Sequence, residues 1–105
     1  MDRQELIDAL KSLLWENAET KIIVFITSAI AYINWYTFQN YSLNDLNLIP
    51  YDIFMVIMEL VKNKYHERIW IESERLSDYS ITYKTSDLTD ESKILLDRYR
   101  IIYVN

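Results

Sequence analysis

Apolar residues return along the first stretch of the chain at the spacing of a helix. Leu6, Leu10, Leu13 and Leu14 fall on one side, with Asp8, Lys11 and Ser12 away from it. That pattern predicts an amphipathic helix over about residues 3–15. Asp2 and Glu5 have capping-box spacing, with Asp in place of the usual Ser or Thr. Glu16 to Glu19 reads as a break. Lys21 to Phe38, KIIVFITSAIAYINWYTF, is the most apolar stretch and predicts a second helix over about 21–38. A helix apolar nearly all round is buried on most sides, and in a chain of this size that implies a neighbouring subunit over part of it. Ile22 to Ile26 also fits a buried strand, which periodicity does not separate from a helix. A membrane span is the other alternative. Against it, the uninterrupted apolar run falls short of the roughly 20 residues a span needs. Thr27, Ser28, Asn34 and Thr37 dilute the stretch, and no basic cluster flanks it.

Asn40 to Leu48, NYSLNDLNL, reads as a loop. Pro50, the single proline, suits the first turn of a helix over about 50–65, and Asp52 there complements the helix dipole. Ile53, Ile57, Leu60, Val61 and Tyr65 form its apolar face, broadened by Met55 and Met58, and Lys62 and Lys64 sit in its last turn. His66 follows and reads as a surface or helix-end histidine. From about 68 to 86 the period changes from helical to two: Ile69 and Ile71 alternate with Trp70 and Glu72, and Tyr79, Ile81 and Tyr83 with Ser80 and Thr82. Without a glycine in Ser73 to Asp78, a tight hairpin is disfavoured, and an extended arm is expected instead. An excursion of that length in a small domain is hard to justify unless it touches something. Thr89 is a good N-cap for a last helix over about 89–101, with Asp90 and Glu91 in its first turn. Ile94, Leu95, Tyr99 and Ile102 are its expected apolar face, and Lys93 and Asp97 form an i,i+4 pair. The fold class expected is mainly α: one domain, 1–105, a small bundle of about four helices with a long extended or β-hairpin-like arm between the last two.

Composition narrows the function classes. With half of its 105 residues hydrophobic, the chain is not a disordered one. A chain of this length buries roughly two-thirds of its unfolded surface, so a core forms without staples. Cysteine is absent, which removes disulfides and thiolate chemistry. Glycine is absent too, so no P-loop, dinucleotide fingerprint or nucleophile elbow can be written. The first residues are charged and helical in pattern, which reads against a secretory leader. A net charge of −5 argues against wrapping nucleic acid, which requires Lys and Arg, but not against letting DNA pass. No nucleophile with a base, metal cluster or carboxylate pair stands out. Glu72, Glu74 and Asp78 read as a solvated polar loop. No catalytic, cofactor-binding or metal residue is assigned, and no enzyme is expected. Nine tyrosines and three tryptophans are interleaved with acids rather than bases, which favours core and subunit contacts over base stacking.

Taken in order, ELIDALKSLL, ITSAIAYINWYT, IPYDIFMVIMELVKNKY, IESERLSDYSITY and SKILLDRYRII resemble the successive segments of the small head–tail connector, or adaptor, proteins of long-tailed double-stranded DNA bacteriophages. Each motif is short, and the weight lies in the ordered set, above all SDYSITY followed by LLDRYR. The chain departs from the family pattern at Arg75-Leu76-Ser77, where relatives usually carry Gly. The resemblance implies a structural virion protein without enzymatic activity or cofactor. It implies a homo-oligomeric ring beneath the portal protein, at the head–tail interface of the virion, assembled in the host cytoplasm. Such a ring extends the DNA channel and offers a platform to a head-completion (stopper) or tail protein; DNA passes without specific binding, and no membrane is involved.

A ring of this kind uses heterologous contacts, in which one patch meets a different patch on the neighbour. Ile69, Trp70, Ile71, Tyr79, Ile81 and Tyr83 on the arm are the expected subunit contacts, and Leu95, Arg98, Tyr99 and Arg100 on the closing helix the expected portal-docking residues. A monomer in solution that orders its arm on assembly is compatible with this. The rival readings are an acidic inhibitor or immunity-type protein that blocks a basic nuclease or DNA-binding protein, and a small membrane protein built on Lys21 to Phe38.

Overall fold

The computed structural model describes residues 3–67, 83 and 85–100. Among these the chain is mainly helical, with four α-helices and no strand: α1 (Arg3–Leu14), α2 (Glu19–Thr37), α3 (Tyr51–Glu67) and α4 (Asp90–Tyr99). Short 3-10 turns lie at Leu46–Leu48 and Thr85–Asp87. The expected capping residue Asp2, most of the expected arm and Ile102 lie outside the described residues.

The four helices run up and down. A short link turns α1 into α2. Tyr65 near the end of α3 stacks edge-on against Phe25 of α2, with ring centroids 5.8 Å apart, and donates its hydroxyl to Glu16 just ahead of α2. The end of α3 therefore returns to the start of α2. Helix α4 runs back along α3: Ser92 at its start bonds Glu59 (2.7 Å), and Tyr99 at its end bonds Asp52 (3.2 Å). Helices α2 and α3 each pack against the other three helices and together form the centre of the bundle.

Burial follows helical phase. On α2, Ile22, Phe25, Ile26, Ala29, Ile30 and Ile33 are buried, so Ile22 to Ile26 is helix and not strand. No helix among the described residues is long and apolar enough to cross a membrane. On α3, Ile53, Phe54, Val56, Ile57, Leu60, Val61 and Tyr65 are buried, while Met55 is half exposed. On α1 the expected face needs turning: Ile7 is buried and Leu13 is 44% exposed, because the core meets Leu6, Ile7, Leu10 and Leu14. Helix α4 turns likewise. Leu96, not Ile94, is the fully buried side chain, with Ser92 one turn earlier, and Ile94 is 58% exposed.

The ends are built locally. Thr89 is the N-cap of α4, its Oγ1 accepting from the Ser92 amide at 3.2 Å. Pro50 lies just ahead of α3, and its carbonyl accepts from the Ile53 and Phe54 amides. Ala18, at the N-cap of α2, has no capping side chain. Glu16 compensates in part, its carboxylate accepting from the Asn17 and Ala18 amides. After α2, Asn34 clamps the loop with two bonds: Nδ2 donates to the Tyr41 carbonyl (2.9 Å), and the Tyr41 amide donates to Oδ1 (2.8 Å).

Candidate interaction surfaces

The closing helix ends where α2 ends and α3 begins. Its four expected docking residues do different things there. Leu95 is half-buried against the core. Tyr99 donates its hydroxyl to Asp52 Oδ2, and its carbonyl accepts from Gln39 Nε2 at 2.7 Å. It is therefore a tie within the chain. Burial, then the charge of Asp52 and the bond to it, raise its phenol above the usual range. Arg98 is 63% exposed and stands 4.0 Å from Asp52 Oδ2, a separation at which a surface pair contributes at most about 1 kcal/mol. Arg100 is held by aromatic faces, its guanidinium carbon 5.3 Å from the Tyr36 ring centre and 5.5 Å from that of Phe38. Tyr36 in turn donates to Asp97 Oδ1 at 2.9 Å, the acid expected to pair with Lys93. That bond first, and burial second, raise the Tyr36 phenol. Two arginines are thus presented at this end, one loosely paired and one pre-positioned.

Trp35 and Phe38 line a hollow with Arg100. Trp35 is 68% exposed, and Tyr51 and Leu48 are each 75% exposed. Beside Tyr51 lies a groove of about 380 Å³ bounded by Ile49, Phe54, Met55 and Met58. Sequence reasoning passed over Trp35, Leu48 and Tyr51. Helical phase was the available signal for Trp35: two residues beyond buried Ile33, it points roughly to the opposite side of α2.

Of the six expected subunit contacts, Ile69, Trp70, Ile71, Tyr79 and Ile81 lie outside the described residues. Tyr83 is described, and it is a core residue of its own chain. It is buried, its hydroxyl points to the Phe25 carbonyl at 3.4 Å, and its ring lies 6.3 Å from Tyr32. Within this chain the ring is 6% exposed and packs against its own bundle. Burial, with the charge of Asp87 behind it, pushes the Tyr83 phenol far up.

Around Tyr83 and Tyr65 the other end of the bundle carries two buried lysines. Lys64 Nζ is 3.1 Å from Asp87 Oδ2 and 5.4 Å from the Tyr83 ring centre. Lys21 Nζ is 3.0 Å from Glu16 Oε1 and 5.4 Å from the Tyr65 ring centre. Burial pushes the Glu16 carboxyl up, but bonds from Lys21, the Ala18 amide and Tyr65 outweigh it and hold the carboxyl below its ordinary range. These are closed, satisfied clusters. Among the described residues no group of three or more His, Cys, Asp or Glu could hold a metal ion, and no buried side-chain polar atom lacks a hydrogen-bond partner. His66 is exposed, with its ring against Tyr65. At this same end, Trp15 is 93% exposed.

No protein-family model matches the chain, and neither does any curated protein or solved structure.

Proposed function

We propose that this chain is a head–tail connector subunit: many copies close into a ring under a phage portal, extend the DNA channel and hold the next head-completion or tail protein. The observation that carries the proposal is the placement of stranded aromatics. Trp15 precedes α2, while Trp35 and Phe38 line a hollow with Arg100 at its far end and exposed Tyr51 opens α3. From residue 19 to residue 35 a helix rises roughly 24 Å, so the two groups are well separated. A bundle with a complete core gains nothing in isolation from aromatics left in water. Aromatic and arginine side chains together have the composition of interface anchors. Two different patches at two ends suit a subunit that meets unlike surfaces on its neighbours. The ordered motifs of the sequence point the same way.

In this reading Arg98 and Arg100, beside Trp35 and Phe38, dock on an acidic surface of the portal. The net charge of −5 keeps DNA moving through the channel rather than gripped by it. Capture of the chain by the portal protein of its virus tests the proposal. Wild type should co-purify with portal, and Arg98→Glu with Arg100→Glu should weaken capture at least about tenfold, roughly 1.4 kcal/mol. Undiminished capture by the double variant would move the docking site elsewhere. Absence of capture, together with a one-to-one complex with a basic nuclease, would favour the inhibitor reading.

A further inference from the structure

Arg100 caps the end of α4, with its guanidinium carbon 5.3 Å from the Tyr36 ring centre and 5.5 Å from that of Phe38. Both distances lie within the roughly 6 Å reach of a cation–π contact. Two rings thus fix where the guanidinium stands without using any of its N–H donors in a conventional bond. Among the described residues no acceptor takes a hydrogen bond from it and no carboxylate forms an ion pair with it. The acids nearby are engaged elsewhere: Asp52 stands by Arg98 and accepts from Tyr99, and Asp97 accepts from Tyr36. One of the supporting rings is itself set at a cost. Phe38 ends α2 in the left-handed region, with φ 59°, which glycine enters without a side-chain penalty. Residues held in such sparsely populated conformations cluster at ligand clamps. Phe38 is half exposed all the same, and Trp35 in the same hollow is largely exposed.

We infer that Arg100 is a carboxylate clamp: its fork takes the side-chain carboxylate of an acidic residue on a partner protein, and a neighbouring apolar side chain of the same segment lies over Trp35 and Phe38. A guanidinium meets a carboxylate through two parallel N–H···O bonds, and a fork already held by rings loses less freedom in making them. Size favours a protein segment over a free ligand. The hollow of about 150 Å³ is well below the roughly 300–1,000 Å³ of small-molecule pockets, and suits a single side chain. Trp, Tyr and Arg are also the residues on which interface energy concentrates. Charge favours a carboxylate over a phosphate group. Arg100 offers one positive charge, which one carboxylate matches. A phosphate monoester carries nearly two negative charges, and the excess would face Asp97 behind Tyr36. The net charge of −5 opposes any anion at long range, so the clamp works by contact and not by steering. The inference rests on the connector reading in taking portal as the partner, and deepens it by assigning the hold to Arg100 rather than Arg98.

NMR of the full chain, following the Arg100 Nε–H and Trp35 indole N–H resonances, tests the clamp. The probes are a terminally blocked peptide with Glu flanked by Phe, its Gln counterpart, and inorganic phosphate, each titrated to about 10 mM. The Glu peptide should shift both resonances and bind at least about fivefold more tightly than either of the others. Arg100→Lys keeps the charge and loses the fork. It should keep the unfolding midpoint and weaken the Glu peptide at least about fivefold, read at the indole. Trp35→Ala, at an exposed position, should weaken the same peptide, read at Arg100, and Arg98→Lys should leave it unchanged. Equal binding of the Gln peptide, equal binding to Arg100→Lys, tighter binding of phosphate, or no shift with any probe would each overturn the inference. Portal capture separates this from the connector reading. Capture that Arg100→Lys weakens and Arg98→Lys does not would support both. Capture that survives Arg100→Lys would overturn the clamp and leave the connector standing. Peptide binding without capture of the wild type by portal would support the clamp and remove portal as its partner.

Discussion

Lys21 and Lys64 are buried, and each has an acid and a tyrosine ring for company. A buried ammonium is tolerated only when paired, and removing one partner costs more than replacing the pair. Asp87→Asn should therefore destabilise the bundle by on the order of 3 kcal/mol, and adding Lys64→Met should restore most of it, both read from urea midpoints. An unrescued double variant would show that the lysine matters for more than its charge. Tyr83 sets a pH dependence from the same cluster. An unfolded tyrosine ionises near pH 10, while burial holds the folded phenol protonated well above that. The unfolded state then loses its proton first. The contribution is fully present below about pH 10 and is lost as pH rises towards the folded value. Tyr83→Phe should reduce the fall in stability between pH 9 and about 11.5. The remaining slope belongs to Tyr36, Tyr41, Tyr65 and Tyr99, whose phenols are also raised. An unchanged slope would remove Tyr83 from the buried cluster.

At the scale of elements, much of the bundle was legible in the sequence, for reasons particular to each helix. In α2 and α3 the apolar residues are so many that small phase errors leave the buried face recognisable. Helix α4 has few apolar residues, and Ile94, Leu95 and Leu96 are consecutive, so any of the three could lead the buried face; packing against α3 through Ser92 and Glu59 selects Leu96. Thr89 was legible because a cap is a local device: one hydroxyl meets one amide three residues on. Thr89→Ala should cost about 1 kcal/mol, and Thr89→Ser should recover most of it, in thermal unfolding followed by circular dichroism. A neutral Thr89→Ala would mean that the Ser92–Glu59 bond alone fixes the start of α4. The interaction surfaces were less legible. Arg98 and Arg100 were visible as charges, but the aromatic faces that hold Arg100 come from the end of α2 and the residue after it, 62 to 64 positions away in sequence, and only tertiary packing brings them together. Tyr83 had a strand's alternation around it and a core residue's fate, because periodicity reports which residues share a side and not what covers that side.

For the whole molecule, a buried helical core among the described residues, buried side-chain polar atoms there that all have hydrogen-bond partners, and large aromatics exposed at two ends are why we propose a subunit of a larger assembly. In the ring we propose, every copy has two neighbours, and portal templates the first contacts. Electron microscopy of the purified chain at high concentration, with and without portal, is the direct measurement. Closed annular particles with a central channel are expected, enriched when portal is present. Dispersed single copies under both conditions would contradict the account.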